Sequence, residues 1–301
     1  MRLLLVANAN ATIVTPHMTS VIEHALASEF DVDLVATKRG GHAMHLAQGA
    51  EHGGYDLVVA FGGDGTVNEV ANGLAGTKLP MAIIPGGGTN VLARSLGISP
   101  DPIEATGQLL ANRRKDPRRV TLGRADGRHF TFTCGMGFDG AIVRRVERRQ
   151  GLKKAGGGGY YAWSALAVLL RYGRRPAVTV RWGPDLAEAR EGLFLAITQN
   201  ARPYTYLGER EMHLCPDADI DAGIDCLAVA SMRVSFLLRT VVRAFGSARH
   251  ARSKHVLALH DQDRIEIAAD RPLPVQMDGE YLGDRDYLLV EAVPDALSIL
   301  A

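Results

Sequence analysis

The chain has no excess of charge, few cysteines and no apolar run long enough to cross a bilayer. Its 301 residues carry 34 Lys and Arg against 33 Asp and Glu, a formal net charge of +1. That balance gives no overall field for nucleic acid, so an electrostatic partner has to be met by a local patch. The three cysteines, Cys134, Cys215 and Cys226, are odd in number and not spaced as a metal motif. They read as reduced, packed thiols in a cytoplasmic setting. The start, "MRLLLVANAN", lacks the longer apolar core and cleavage site of a secretory signal and reads as a first strand. The longest mostly apolar stretch, "YYAWSALAVLL" at 160–170, is too short for a membrane span. No G-x-x-x-x-G-K-[ST] occurs, which excludes a P-loop NTPase. The histidines form no H-x-x-x-H pair backed by an acid motif. His42 and His45 therefore read as surface or cleft-lining residues, not zinc ligands.

What is present is an ordinary globular balance, 47% hydrophobic and 22% charged, at a length that suits two domains. The first third alternates apolar runs ("RLLLVAN", "DVDLVAT", "YDLVVAF", "PMAIIP") with helix-periodic segments. This order predicts a parallel, doubly wound sheet with helices on both faces. From about Asp116 the strands become short and successive, as in "DPRRVTLGRADGRHFTFTCGMGF", with a turn at Asp126-Gly127. They predict an antiparallel, sandwich-like second domain. We place the domains at 1–120 with 286–301, and at 121–285. The run Gly156–Gly159 reads as a mobile loop.

Two glycine loops carry the chemistry. "GGDGT" (62–66) and "GGGTN" (86–90) each follow a predicted strand and open a helix. Helix N-termini offer free N–H groups and a positive dipole end, and glycine lets a phosphate come close. Asp64 sits inside the first loop. A carboxylate facing a polyphosphate is repelled unless a cation lies between them, so Asp64 suggests Mg²⁺; its alternative role is to cap the helix starting near Thr66. "CGMGFDG" (134–140) matches G-x-G-x-x-G, but no Asp or Glu lies between Glu147 and Asp185 to meet a ribose. It reads as a structural turn beside the active site. "MDGE" (277–280) can be a plain Asp-Gly hairpin turn.

Taken in order, "GGDGTVNEVANGL", "IIPGGGTNVLARSLGI", "GMGFDGAIV" and "VQMDGEYLGD" resemble the soluble bacterial diacylglycerol kinase and sphingosine kinase superfamily over nearly the whole chain. The GGDGT loop alone is shared with NAD kinases; the "NEV" extension and the late "DGE" make the resemblance specific. It implies an NAD-kinase-like α/β domain that binds ATP and Mg²⁺, and a β-sandwich domain for a lipid alcohol such as diacylglycerol. Residues Gly62, Gly63, Asp64, Gly65, Thr66, Asn68 and Glu69 would hold ATP, with Gly87, Gly88, Thr89 and Asn90 from the second loop. Asn8, Ala9, Asn10 and Thr37 would line the nucleotide. Asp278 and Glu280 match the catalytic acids, one as general base, with Asp64 near the catalytic Mg²⁺. The alternatives are an NAD kinase or other small-molecule kinase, and a non-catalytic nucleotide- or lipid-binding regulator.

The sequence also departs from the pattern. Val91 and Thr121 stand where acids are usual, and Ala222 replaces a ligand of a structural Mg²⁺ turn beside Asp221. Two basic segments read either as solvated helices whose apolar face covers the sandwich or, given a lipid substrate, as docking sites for an anionic membrane surface at the inner face. One holds Arg144, Arg145, Arg148, Arg149, Lys153 and Lys154; the other, Cys226 to His260, contains no acid. In the second, Arg239 and Arg243 share one helical face, and Leu238, Val241, Val242 and Phe245 can lie on another. Oligomeric state is left open, a homodimer included.

Overall fold

The computed structural model describes residues 1–148, 163–169, 175 and 177–301. Gly156–Gly159, Arg149, Lys153 and Lys154 lie outside the described residues. The chain divides into two compact units, Met1–Leu122 with Pro294–Ala301, and Gly123–Val293.

In unit 1 the order is β1 (Arg2–Ala7), α1 (Pro16–Leu26), β2 (Asp31–Ala36), α2 (His42–Ala50), β3 (Leu57–Gly62), α3 (Asp64–Leu74) and β4 (Met81–Pro85). Then come α4 (Val91–Ser95) and α5 (Pro102–Asn112). Helix α5 is absent from the sequence reading; Asp101 caps it through Ile103 N–H and Glu104 N–H, with Pro102 at its first position. The strands are parallel in the order β4-β3-β1-β2. The period of two explains the layers. Leu3, Leu5, Leu57, Val59, Phe61, Ala82 and Ile84 pack with Ile22 and Leu26 of α1 and Leu109 of α5. The alternate set, Leu4, Val6, Val58, Ala60, Met81 and Ile83, is equally buried. A sheet apolar on both faces is covered on both. The chain's last residues extend this sheet: Ile299 pairs in parallel with Met81, and Leu300 N–H donates to Met81 O.

Unit 2 holds β5 (Arg118–Ala125), which enters from unit 1, then β6 (Arg128–Phe130), β7 (Thr133–Gly137) and α6 (Phe138–Glu147). After helix α7 (163–169) come β8 (Val178–Trp182), β9 (Glu188–Leu193) and β10 (Leu195–Gln199). The remaining elements are β11 (Thr205–Leu207), β12 (Arg210–Met212), β13 (Ile224–Val229), α8 (Val234–Ala244), β14 (Val256–Gln262), β15 (Arg264–Met277) and β16 (Glu280–Ile299). All pairings given for this unit are antiparallel. Strand β15 pairs with β8 over Glu266–Ala269 and with β7 over Val275–Met277, its register shifting in between. One long strand thus pairs with two different neighbours along its length within one continuous sheet. Its core holds Phe130, Met136, Val180, Ile265, Ile267 and Val290. All three cysteines are buried and unpaired, and burial pushes the Cys226 thiol up to about 12. They are packing groups, not nucleophiles.

Candidate active site

The C-terminal ends of the four strands of unit 1 share one edge: Ala7 pairs with Ala36 and Phe61, and Gly62 with Pro85. The strand order reverses between β1 and β3, where α/β sheets bind ligands. Asn8 lies at that point. Its N–H donates to Phe61 O (2.9 Å), its Nδ2 donates to Thr66 Oγ1 (2.9 Å), and its Oδ1 accepts from Asn10 N–H (3.0 Å). Ala9 and Asn10 are exposed in the turn that follows. Thr37 N–H donates to Ala7 O, which sets Thr37 beside that turn.

The glycines of the two loops divide into two sets. A Cβ at Gly87 would stand 2.7 Å from Gly63 Cα, and one at Gly86 would stand 3.0 Å from Gly62 Cα. Gly86 N–H donates to Gly62 O at 2.7 Å. These glycines let the two loops interlock. Gly65 and Gly88 meet no atom within 4 Å of an added Cβ, and both are exposed. Of the loop glycines, these two are the exposed ones with open space around them.

Helix α3 begins at Asp64 with Gly63 as cap residue and no side-chain cap bond. The expected cap at Thr66 by Asp64 is therefore corrected. Asp64 occupies the first helical position, and its Oδ1 accepts from Val91 N–H at 2.6 Å. It thus ties loop to loop, and its charge faces the positive end of α3. Asn90, at φ 50°, folds the second loop by accepting from Gly87 N–H (3.0 Å) and donating to Gly87 O (2.8 Å). Glu69 accepts from Gly41 N–H and Ala43 N–H and so caps α2. Asn68 is buried, its backbone O and Oδ1 accepting from Asn72 Nδ2. Thr89 is half-buried and Thr121 buried.

In unit 2, Asp278 (φ 47°) and Gly279 (φ 79°) form the two-residue turn between β15 and β16, with both central residues left-handed as in a type I′ hairpin. The Asp278 side chain turns inward. One oxygen accepts from Thr131 N–H (2.7 Å) and Thr131 Oγ1 (2.8 Å), the other from Phe132 N–H (3.1 Å) and Thr133 N–H (3.0 Å). Burial pushes this carboxyl above the usual range while the four donors pull it back. Glu280 is 56% exposed and pairs with Arg128 at 2.7 Å. Its carboxylate is thus held by β6, the strand that leads into that cradle.

The "CGMGFDG" segment is structural. Gly137 has φ 98° at the start of α6, and a Cβ at Gly140 would stand 2.2 Å from Pro274 O. Asp139 is buried; it accepts from Tyr204 Oη (2.6 Å) and Gln276 Nε2 (2.7 Å), and burial raises its carboxyl above the usual range. Sequence reasoning missed this network and the Thr131–Thr133 cradle, because their partners lie far apart in the chain. At "DIDAGID", Asp221 is exposed and its N–H donates to Asp219 Oδ1. Among the described residues, no three His, Cys, Asp or Glu side chains converge as a metal site.

The chain matches the family description "Diacylglycerol kinase catalytic domain" over residues 2–125 and "YegS C-terminal NAD kinase beta sandwich-like domain" over 133–301. The chain belongs to the diacylglycerol kinase superfamily. Within that superfamily it is 31% identical over 269 residues to "Probable lipid kinase YegS-like" of Stenotrophomonas maltophilia (strain K279a), covering 86% of this chain and 83% of the relative. It is 27% identical over 270 residues to the diacylglycerol kinase of Bacillus subtilis (strain 168), covering 89% and 85%. The fold is also that of a diacylglycerol kinase structure from Bacillus anthracis str. Sterne, at TM-score 0.73 and 22% identity over 99% of this chain and 96% of that one. An NAD kinase from Archaeoglobus fulgidus shares the architecture at TM-score 0.55 and 12% identity, covering 100% and 94%. The protein is a kinase-type enzyme of the lipid kinase class, with an NAD-kinase-like α/β sheet and a β-sandwich-like C-terminal part. No described helix is long and apolar enough to cross a membrane.

Proposed function

We propose that this lipid kinase transfers the γ-phosphoryl group of ATP to the hydroxyl of diacylglycerol, giving phosphatidic acid. The observation that carries the phosphoryl-donor half is the exposed backbone at Gly65 and Gly88, opening beside the first turn of α3 at the strand ends. Helix N-terminal N–H groups suit the phosphates, and Asn8, Ala9, Asn10 and Thr37 line the same edge. The name of the Bacillus subtilis relative supports diacylglycerol as acceptor.

The single carboxylate Asp64 fits Mg²⁺, which takes one or two carboxylates and fills its shell with phosphate oxygens and water. Mg²⁺, when bound, supplies charge neutralisation at the transferring phosphate. Glu280 is the general base: its carboxylate takes the hydroxyl proton as the new O–P bond forms and the bond to ADP breaks. Asp278 holds the turn that carries Glu280, because its own oxygens are already occupied by four donors. Asp221, exposed beside Ala222, holds no structural metal in this reading. Buried, unpaired thiols and the lipid acceptor support work at the cytoplasmic face of a membrane.

The purified chain with Mg²⁺ and labelled ATP, offered a panel of dispersed diacylglycerol, sphingoid base, ceramide and NAD, is expected to label diacylglycerol. Labelled NAD would overturn the lipid assignment. ATP binding without turnover would favour a regulator, the reading that Val91 and Thr121 support.

The glycines give a sharper check. Gly65→Ala lies in open space at a helix start, so it should leave the fold intact or gain up to about 1 kcal/mol. It should raise the KM for ATP about tenfold or more by displacing a phosphate. Gly87→Ala meets Gly63 Cα and should instead lower the melting temperature. Calorimetry beside ATP titration separates the two.

A further inference from the structure

Helix α8 presents two apolar faces. Phe236, Leu237 and Ala244 turn inward and pack on the cluster of Leu195, Leu214, Leu227 and Val256. Thr240 is buried on the same side. That face accounts for how the helix is held. It leaves Val234, Leu238, Val241 and Val242 without a role in the core. They are 49%, 61%, 42% and 70% exposed. At 100° per residue they form one stripe along all three turns, beside the buried face and not part of it. An 11-residue helix is about 16 Å long, so the stripe is a continuous aliphatic ridge.

The charge around the ridge has one sign. Arg239 and Arg243 are exposed on the next sector of the helix, and Arg233 stands at its start. Arg249, Arg252 and Lys254 are exposed just after it. From Cys226 to His260 there is no Asp or Glu. Arg233, Arg239 and Arg243 form no ion pair among the described residues. Aliphatic residues flanked by arginines are the composition of a helix that lies in a lipid interface. A second copy of the chain is a poor occupant, because a two-fold contact would set these arginines against themselves. An anionic leaflet complements both features at once.

We propose that α8 docks the protein on anionic membranes, its Val234–Leu238–Val241–Val242 ridge entering the acyl boundary and its arginines meeting lipid phosphates. The surface itself stands on the geometry of the helix; its value to catalysis rests on the lipid-kinase reading. In that reading it brings the enzyme to a leaflet where its acceptor is dissolved.

The test uses the full chain, without ATP, and vesicles of phosphatidylcholine with or without phosphatidylglycerol. Sedimentation should show binding only to the phosphatidylglycerol vesicles, weakening with salt. Arg239→Gln with Arg243→Gln should weaken it about fivefold per arginine at low salt. Leu238→Asp with Val242→Asp should weaken it at least about tenfold, with an unchanged melting temperature because both side chains face solvent. The buried native thiols allow Leu238→Cys to be labelled selectively with a polarity-sensitive dye, which should shift to the blue on binding. No binding by the parent, binding by both double variants as tight as the parent's, or an α8-dependent dimer in light scattering would each overturn the proposal. Turnover of a short-chain, water-soluble diacylglycerol should be the same in these variants as in the parent. If the parent turns over no diacylglycerol yet binds vesicles through α8, the docking surface stands and the diacylglycerol assignment fails.

Discussion

Glu280→Gln should lose at least a hundredfold in turnover and keep its stability, whereas Asp278→Ala should lose its stability first. The two acids are neighbours in sequence but live in different surroundings. Glu280 is more than half exposed and ends on Arg128. An amide of the same shape still accepts from Arg128 but cannot take a proton. A positioned general base contributes about 10²–10⁴ in rate, while an exposed substitution shifts stability by less than about 0.5 kcal/mol. Asp278, by contrast, satisfies Thr131, Phe132 and Thr133 N–H groups and the Thr131 hydroxyl. Its removal strands buried donors at about 1–3 kcal/mol each, and the sum should exceed about 3 kcal/mol. For a unit of this size that is a fall of roughly 10 °C in melting temperature. Asp278→Asn should fall part of the way, since one oxygen becomes an amide nitrogen facing donors. Circular dichroism melts and steady-state turnover on the same preparations decide the matter. Should Asp278→Asn melt like the parent and lose turnover as Glu280→Gln does, the base is Asp278.

The legible parts of this chain are those where chemistry repeats at short range. The βα alternation, both glycine loops and the Asp278-Gly279 turn could be read because each is set by residues within one or two elements. The division of labour among the glycines was not legible. Gly62, Gly63, Gly86 and Gly87 look like Gly65 and Gly88 on paper. Only the contact between two loops separates those that interlock from those that stay open. The hydrogen bond from Val91 to Asp64 was hidden for another reason. It comes from the backbone, so the letter at 91 says nothing about it. The Asp278 cradle is likewise built from backbone groups of a segment far back in the chain. In α8 the sequence contains two apolar sets of similar character. Whether Phe236 and Leu237 or Leu238 and Val242 face the core depends on the sheet beneath, which no local period reveals.

Asp64→Asn should cost at least about a hundredfold in turnover, with ATP binding retained and the dependence on Mg²⁺ concentration moved upward. The substitution isolates charge from shape. Asn can still accept the Val91 N–H bond through its oxygen, so the junction between the two loops survives. Its place at the start of α3 costs little, because a neutral side chain there forfeits only the dipole contribution of about 0.3–1 kcal/mol. On the proposed reading, what is lost is the carboxylate that offsets a cation at the phosphates. Val91 is apolar and Thr121 neutral, and among the described residues no three-ligand cluster stands behind them. The proposed reading therefore rests the metal's charge on Asp64. Metal assistance in phosphoryl transfer is worth several kcal/mol, so a loss of about 3 kcal/mol, or more than a hundredfold, follows. The converse variant, Val91→Asp, puts a carboxylate beside the Asp64 loop in a buried position, where the like charge costs stability unless a cation is present. Melts of Asp64→Asn and Val91→Asp with and without Mg²⁺ and ATP, set beside turnover against Mg²⁺ concentration, read both effects. A Mg²⁺ dependence of Asp64→Asn identical to the parent's would remove Asp64 from the metal and leave it the loop tie that its bond to Val91 already makes it.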